Sequence, residues 1–541
     1  MKTHVKPFRI VALLIAVAFV ASACESSFDS LVEEQITNNP LPTGATYSSG
    51  SADYSNIVSI GASITAGLMD GALYNQGQAH SFPNLMAKAL EPAGAGVFTQ
   101  PDINSVNGYN VSVQSPACNP VCGRFALDTN IPGPSPVING DPIAPFTGSK
   151  EFLNNFGVPG LHLWQLDEPG AGNPNSPYYS GFYARFASQP GVSTVLDDAI
   201  ARNPSFITFW VGGNDVLSYL GTGGVNDALL TDVATFQALF TSAMTKIATQ
   251  TTAKGVVADI PPLAAAPTFR AVSYNAIPLD AATAGQLNAN FAGFNQLIDA
   301  LAAPPFSLPA EVLAGRKIQY QAGQNAVLVQ DDAATDLGPY FDQIQGAGLI
   351  DAATRAAIAP YEQARQLRVD ATVGPELLLL SAGAVLGTPA DPTNPLSLIG
   401  LVVPLADSYT LTADEILKSE VARQTFNAII KQVVAATNQA SGGTRFALWE
   451  TNSATSAISD LFGLDGSPLG LVIEGVKLAP DFSPNGVFST DGVHPNFRGS
   501  AILANEFIDV AENAFGGTLP RVDVLNLPSV LLCDAQCLSR Q

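Results

Sequence analysis

Residues 57–67 read IVSIGASITAG, a β-branched run that stops at Gly61 and is followed at once by Ser63 among small residues. A short apolar run of this kind predicts a buried strand, and the glycine at its end predicts a turn. A serine held at the carboxyl end of a strand, with glycine and alanine around it, leaves room for a substrate. Serine is also an ordinary residue at which to begin a helix. The stretch therefore raises the question of whether the Ser63 hydroxyl takes part in a reaction or only helps to begin a helix.

Strand-like and helix-like stretches alternate along much of the chain. In the helix expected over 501–515, Leu503, Phe507, Val510 and Ala514 recur on one face. The repetition of strand and then helix predicts an α/β protein whose parallel sheet is covered by helices on both sides. The candidate strands are 57–60, 206–211, 255–260 and 446–449.

The N-terminal 23 residues have the pattern of a targeting segment, with Lys2, Lys6 and Arg9 ahead of an apolar stretch too short to span a bilayer. The small residues directly before Cys24 resemble the lipobox of bacterial lipoproteins, which implies cleavage before Cys24 and lipidation of its thiol. A plain secretory signal cut nearby is the alternative. Residues 24–52 are typical of a flexible tether. We therefore expect a protein of the bacterial cell envelope, attached to the membrane through an N-terminal lipid anchor.

Acidic residues outnumber basic ones, 46 against 24, which gives a formal net charge of −22. A surface of this sign repels nucleic acid and anionic lipid headgroups. We therefore expect no nucleic-acid partner, and the charge is explained most simply by solubility outside the cytoplasm.

Apart from Cys24, four cysteines form two local pairs, CNPVC with Cys118 and Cys122, and CDAQC with Cys533 and Cys537. In an exported chain such pairs predict disulfides, and four cysteines permit three connectivities, of which we expect the local one. A four-thiolate zinc site is the alternative, although an oxidising compartment works against free thiolates.

Histidine is scarce: the chain has four, and once the targeting segment with His4 is removed, only His80, His162 and His494 remain as candidates for a general base. His494 lies in FSTDGVHPN, three residues after Asp491. On a turn, this spacing brings the carboxylate to one ring nitrogen and leaves the other free to face a nucleophile. The alternative is a loop aspartate that caps the next helix. His80 and His162 have no acid close in sequence, so we expect both to be structural.

Two glycine-containing stretches offer donors for an oxyanion. FWVGGNDV places Asn214 after a hydrophobic strand, at the carboxyl edge where open α/β sheets bind ligands, although a simple Gly-Asn turn would look the same. NNFGVPGLHLWQL contains Gly160 in a Pro-Gly turn before an expected helix, whose first N–H groups are ready anion donors. A nucleophile, a base, an orienting acid and oxyanion donors are the parts that acyl transfer needs.

In order and content, these stretches resemble the SGNH/GDSL family of hydrolases. The resemblance covers about 52–270 and 480–520 and implies a flavodoxin-like three-layer α/β/α sandwich with a parallel sheet. It also implies that Ser63 is the nucleophile, His494 the base and Asp491 its orienter. The oxyanion hole would comprise the N–H groups of Ser63 and Gly160 and the side chain of Asn214. We expect neither a metal nor an organic cofactor.

The chain departs from the family at Ala62, where aspartate is usual. A carboxylate that could anchor the nucleophile turn is a methyl group here, which puts the anchoring of that turn in question. The rival motif is the α/β-hydrolase elbow, Gly-x-Ser-x-Gly, but Thr65 stands where its second glycine belongs.

The resemblance leaves a long segment unexplained and divides the hydrolase domain into 53–270 and 481–541, with an insertion over 271–480. Within the insertion, Thr412 and Glu415 predict a capped helix that runs to Val434. Two apolar runs at 377–405 predict core elements or, alternatively, an acyl-binding groove or a lid.

The resulting expectation is an exported serine hydrolase that cleaves carboxylic esters through an acyl-enzyme on Ser63. Its substrate would be an ester, with lipids and acylated glycans among the candidates. The alternative is a catalytically silent envelope protein of the same fold that binds glycans or lipids.

Overall fold

Five parallel strands form the central sheet. The computed structural model describes residues 46–127, 133–464, 466, 468–533 and 537–538, so the targeting segment and Cys24 lie outside the described residues. The sheet order is β2-β1-β3-β4-β5, a doubly wound order that reverses beside β1. The strands are β1 (Ile57–Gly61), β2 (Asn155–Gly157), β3 (Phe206–Trp210), β4 (Lys254–Ala258) and β5 (Phe446–Trp449).

Helices of very different lengths connect and cover these strands. In chain order they are α1 (Ser63–Ala66), α2 (Asn75–Ala79), α3 (Phe82–Ala89), α4 (Gly181–Ala184), α5 (Val195–Ile200), α6 (Asn214–Gly221), α7 (Val233–Gln250), α8 (Pro267–Arg270), α9 (Ala281–Ala302), α10 (Ala310–Leu313), α11 (Gly338–Gly346), α12 (Ala352–Ile358), α13 (Ala413–Ala440), α14 (Ala457–Phe462) and α15 (Phe497–Phe515). Among the described residues, we find no helix with the length and apolar character that crossing a membrane requires.

The two faces of the sheet pack against different helices. In β3, Ile207 and Phe209 point into a core shared with α5, α7 and α13. Phe206 and Trp210 point the opposite way, into a core shared with α3 and α15. This alternation is the period of two that a strand imposes on its side chains. The prediction of an α/β protein with a parallel sheet covered on both faces is confirmed.

A separate hydrophobic core lies within residues 277–405 and includes Phe291, Phe294 and Leu328. The expected insertion, 271–480, is therefore drawn too long. Helix α13 packs on the sheet and β5 is an edge strand of it, so both belong to the α/β body. Thr412 and Glu415 form the predicted capping box of α13, which runs to Ala440, six residues beyond its expected end.

The two apolar runs at 377–405 contribute to cores. Leu378, Leu401 and Leu405 are buried in the separate core, and Leu377 and Leu379 are buried against the helices of the sheet. These runs are therefore core elements, the first of the two expected roles.

Residues 51 and 52 pack on the α/β body. Ser51 donates its backbone N–H to the carbonyl of Phe515 at 2.8 Å, and Ala52 is buried. The expected tether of 24–52 therefore includes residues that pack on the body.

The cysteines are joined locally, as Cys118–Cys122 and Cys533–Cys537.

Candidate active site

Ser63 is the first residue of α1 and follows β1 after a single residue, Ala62. The preceding turn is tight: a Cβ at Gly61 would lie 2.0 Å from Thr65 Oγ1, so only glycine fits there. The Val158 N–H donates to the Gly61 carbonyl at 3.0 Å and ties this turn to the loop after β2. The turn places Ser63 Oγ 2.8 Å from His494 Nε2.

His494 lies in the loop that precedes α15, and its Nδ1 is 2.8 Å from Asp491 Oδ2. The other oxygen of Asp491 accepts the N–H groups of Val493 and His494. The Gly71 N–H also donates to Asp491 Oδ2, at 2.8 Å. Burial would raise the pKa of Asp491, but the charge and hydrogen bonds of His494 outweigh it, so the pKa falls to about 2. An ionised Asp491 favours the tautomer with hydrogen on His494 Nδ1, which leaves Nε2 free to accept the Ser63 proton.

Asn214 begins α6, at the carboxyl edge of β3, and its side chain donates to the Leu161 carbonyl at 2.8 Å. Gly160 is the residue before Leu161 and has a positive φ of 75°, which favours glycine. Within the described part of the chain, the N–H groups of Ser63 and Gly160 donate to no other group. Asn214, Ser63 and His494 line one pocket, whereas Gly160 is not among its lining residues.

The turn of residues 61–65, which carries Ser63, is anchored without a carboxylate at residue 62. Asn155, buried in β2, donates its side-chain N–H to the Thr65 carbonyl at 2.8 Å and accepts the Gly157 N–H. Ala62 packs against the hydrophobic core and lines the pocket. Asn155 is not among the residues expected from the sequence. The signal for it is an asparagine in a short stretch before the Pro-Gly turn, since asparagine is unfavourable inside strands.

An apolar pocket of about 140 Å³ opens beside Ser63 and His494. Its lining includes Leu461 and Phe462 of α14 and Ile502 and Leu503 of α15. Leu217 of α6 and residues 261–263 line it as well. No residue of 277–405 lines this pocket, so the alternative that the apolar runs at 377–405 form an acyl groove is wrong for it.

The other two histidines take part in local packing, as expected. His80 Nδ1 is 2.8 Å from the Gln76 carbonyl, and its ring meets Phe497 edge to face. His162 Nε2 is 3.0 Å from Ser218 Oγ, its ring stacks on Trp164, and burial lowers its pKa.

Asp215 connects α6 to the loop that follows Gly160. Its two oxygens accept the Leu163 N–H at 2.9 Å and the Thr231 hydroxyl at 2.6 Å. Burial raises the pKa of Asp215 to about 6.

Within the described residues, no group of three or more histidine, cysteine, aspartate or glutamate side chains is arranged to hold a metal ion. No protein-family model, curated protein or solved structure matches this chain. The functional assignment therefore rests on the geometry of the site.

Proposed function

We propose that the protein is a serine hydrolase that cleaves carboxylic esters through an acyl-enzyme on Ser63. One observation carries the proposal: Ser63 Oγ, the His494 ring and the Asp491 carboxylate form a continuous chain of hydrogen bonds, each 2.8 Å long. A nucleophile, a base and an orienting acid in this order are the recognisable parts of covalent acyl transfer.

In the first half-reaction, Ser63 Oγ attacks the ester carbonyl carbon while His494 Nε2 takes its proton. The negative charge on the carbonyl oxygen is stabilised by the N–H groups of Ser63 and Gly160 and by the Asn214 amide. Asp491 stabilises the imidazolium. When the tetrahedral intermediate collapses, the C–O bond to the alcohol breaks, and His494 donates its proton to the departing alkoxide oxygen.

In the second half-reaction, His494 takes a proton from a water molecule that attacks the acyl-enzyme. Collapse of the second tetrahedral intermediate releases the carboxylic acid, and His494 returns the proton to Ser63 Oγ. The pocket beside Ser63 is mostly apolar, which supports esters with an apolar acyl group, such as lipids.

The proposal extends to the family and the location. The order of the sequence blocks and the doubly wound strand order support an SGNH/GDSL type of fold. The segment before Cys24 supports a lipid-anchored protein of the bacterial cell envelope. Two features favour the alternative of a catalytically silent binding protein when the sequence is taken alone, namely Ala62 and the long insertion. Since Asn155 anchors the nucleophile turn and the separate core of 277–405 supplies no residue to the pocket, neither feature now favours it.

A fluorophosphonate probe tests the function directly, because it modifies only an activated serine. We expect the purified protein to be labelled on Ser63 and to hydrolyse p-nitrophenyl esters, and Ser63→Ala to lose both properties. Ser218→Ala is the matched control, since Ser218 also contacts a histidine, and it should keep both. Unchanged ester turnover in Ser63→Ala, or the absence of labelling in the unmodified protein, would overturn the proposal.

A further inference from the structure

A second buried carboxylate, Asp70, contacts the loop that carries Asp491 and His494. Asp70 is 2% exposed. One of its oxygens accepts the Thr490 N–H at 3.0 Å and the Thr490 hydroxyl at 2.7 Å, and the other accepts the Tyr74 hydroxyl at 2.7 Å. Among the described residues, no basic side chain forms an ion pair with it. Asp70 therefore depends on these three donors, two of which belong to the residue directly before Asp491.

Residues 70–71 and residues 489–491 each bind the other segment through a side chain. The side chain of Asp70 binds the backbone of Thr490, and the side chain of Asp491 binds the backbone N–H of Gly71. The Asp70 N–H in turn donates to Ser489 Oγ at 2.9 Å. Residues 70–71 and 489–491 thus exchange hydrogen bonds in both directions, across about 420 positions of sequence.

The backbone at this contact adopts an unusual conformation. Asp70 and Gly71 have positive φ angles of 56° and 71°, a region that residues with a side chain rarely occupy. Both N–H groups of this pair donate to residues 489–491. Such conformations persist where surrounding contacts determine them, and they cluster at functional sites.

We propose that Asp70 is a positioning residue, which holds the Asp491–His494 pair at the distance from Ser63 that proton transfer requires. The inference rests on the proposed function, and Asp70 itself does not touch the substrate. Freeing Thr490 would let Asp491 shift, and Asp491 sets the orientation of the His494 ring. The effect should therefore fall on kcat and leave KM nearly unchanged.

Asp259 is a matched control for Asp70, because it is another buried carboxylate with the same hydrogen-bond pattern. Asp259 is 6% exposed and accepts the N–H and the hydroxyl of Thr451 at 2.8 and 2.5 Å, the same pattern that Asp70 makes with Thr490. Thr451 follows β5 and has no hydrogen bond to Ser63, Asp491 or His494 among those of the described residues. Substitution of Asp259 should therefore lower the stability of the fold as substitution of Asp70 does, but it should not displace Asp491 or His494.

The experiment compares Asp70→Ala with Asp259→Ala. A displacement of about 1 Å in a catalytic group costs on the order of 10²-fold in rate, so we expect Asp70→Ala to lower kcat on a p-nitrophenyl ester by about that factor. Fluorophosphonate labelling of Ser63 should slow by a similar factor. Asp70→Asn retains an acceptor for Thr490 and should recover most of kcat, and Asp259→Ala should change kcat by less than about threefold.

If Asp70→Ala does not fold, Thr490→Val decides the question, because it removes one donor to Asp70 and keeps the side-chain shape. We expect it to lower kcat at least about fivefold, whereas Thr451→Val should not. A readout independent of turnover is the downfield ¹H NMR signal of the proton between His494 Nδ1 and Asp491, which should shift or broaden in Thr490→Val only.

The outcomes separate this inference from the function itself. An unmodified protein that neither hydrolyses esters nor labels on Ser63 overturns the proposed function. An active protein in which a folded Asp70→Ala or Thr490→Val variant keeps its full kcat overturns the positioning role alone. Equal losses in the Asp70 and Asp259 variants also overturn it, since they reduce the effect to general destabilisation.

Discussion

His494 Nε2 lies 2.8 Å from Ser63 Oγ, although the two residues are 431 positions apart in the chain. A general base must lie within hydrogen-bond reach of the proton it takes, so this contact identifies the serine expected to react. Ser218 and His162 form a similar contact, but the nearest carboxylate oxygen of Asp215 is 4.0 Å from His162 Nδ1, beyond hydrogen-bond distance. The orienting acid therefore distinguishes the two serine–histidine pairs.

Asp491→Asn should lower kcat by about 10³- to 10⁴-fold, because asparagine cannot stabilise the imidazolium and favours the wrong tautomer of His494. The measurement is steady-state hydrolysis of a p-nitrophenyl ester. Asp481→Asn is the control: among the described residues the Asp481 carboxylate accepts a hydrogen bond only from the nearby Ser483 N–H, and the substitution should leave kcat unchanged. A loss of less than tenfold in Asp491→Asn would contradict the role assigned to this carboxylate.

Asn155→Ala should lower both activity and stability, because it leaves the Thr65 carbonyl without its side-chain donor. We expect a fall of about 1–3 kcal/mol in the free energy of unfolding, measured with urea, and a lower kcat. Asn154→Ala is the control: Asn154 is also buried, but it donates to the Ile57 carbonyl at the start of β1. It should cost stability and spare kcat, and a parallel loss of kcat in both variants would speak against the anchoring role of Asn155.

The apolar pocket predicts a preference for longer acyl chains. Each additional buried methylene is worth up to about 0.8 kcal/mol, so kcat/KM should rise several-fold per methylene from acetyl esters until the pocket is filled. Leu217→Trp should occupy part of the pocket and reduce kcat/KM for octanoyl esters at least about tenfold relative to acetyl esters.

Leu349→Trp is a suitable control for this substitution, since Leu349 is 75% exposed and does not line the pocket. It should leave the ratio between the two esters unchanged. An acetyl-only profile of the unmodified protein, or an unaltered ratio in Leu217→Trp, would show that this pocket does not receive the acyl group.

Asp215 should make the protein less stable at neutral than at acidic pH, relative to Asp215→Asn. Its folded-state pKa of about 6 lies above the ordinary value of 3.8, so its contribution to stability is complete below pH 3.8 and is lost as the pH rises through about 6. The two proteins should therefore differ little at pH 3.5, and Asp215→Asn should be more stable by about 3 kcal/mol at pH 8. Urea unfolding at both pH values measures this difference; an equal difference at the two values would refute it.

The sequence predicts most strands of the sheet because buried β-branched runs have a strong local pattern, as at 57–60 and 206–211. It does not predict β2, since Asn155–Gly157 has only three residues and begins with asparagine. The bounds of the insertion are not predictable from the sequence for a related reason. Whether α13 packs on the sheet or on the separate core depends on partners distant in the chain.

The candidate site, like the fold, is predictable from the sequence only in part. The Asp491–His494 contact follows from a spacing of three residues on one loop. The proximity of Ser63 to His494 came only from a family resemblance, because no local pattern encodes a contact across 431 positions. Asp70 and Asn155 were missed, since each acts on a residue supplied by another part of the chain: Thr490, 420 positions away, and Thr65, 90 positions away.

The order of these segments along the chain has a consequence during synthesis. The ribosome adds Ser63 431 residues before His494, so over that length of synthesis a growing chain carries the proposed nucleophile without its proposed base. A serine hydroxyl without its base is a weak nucleophile. Under the proposed function, we therefore expect unfinished chains to be inert towards esters, and hydrolysis to begin only when the loop of residues 489–494 docks against residues 70–71.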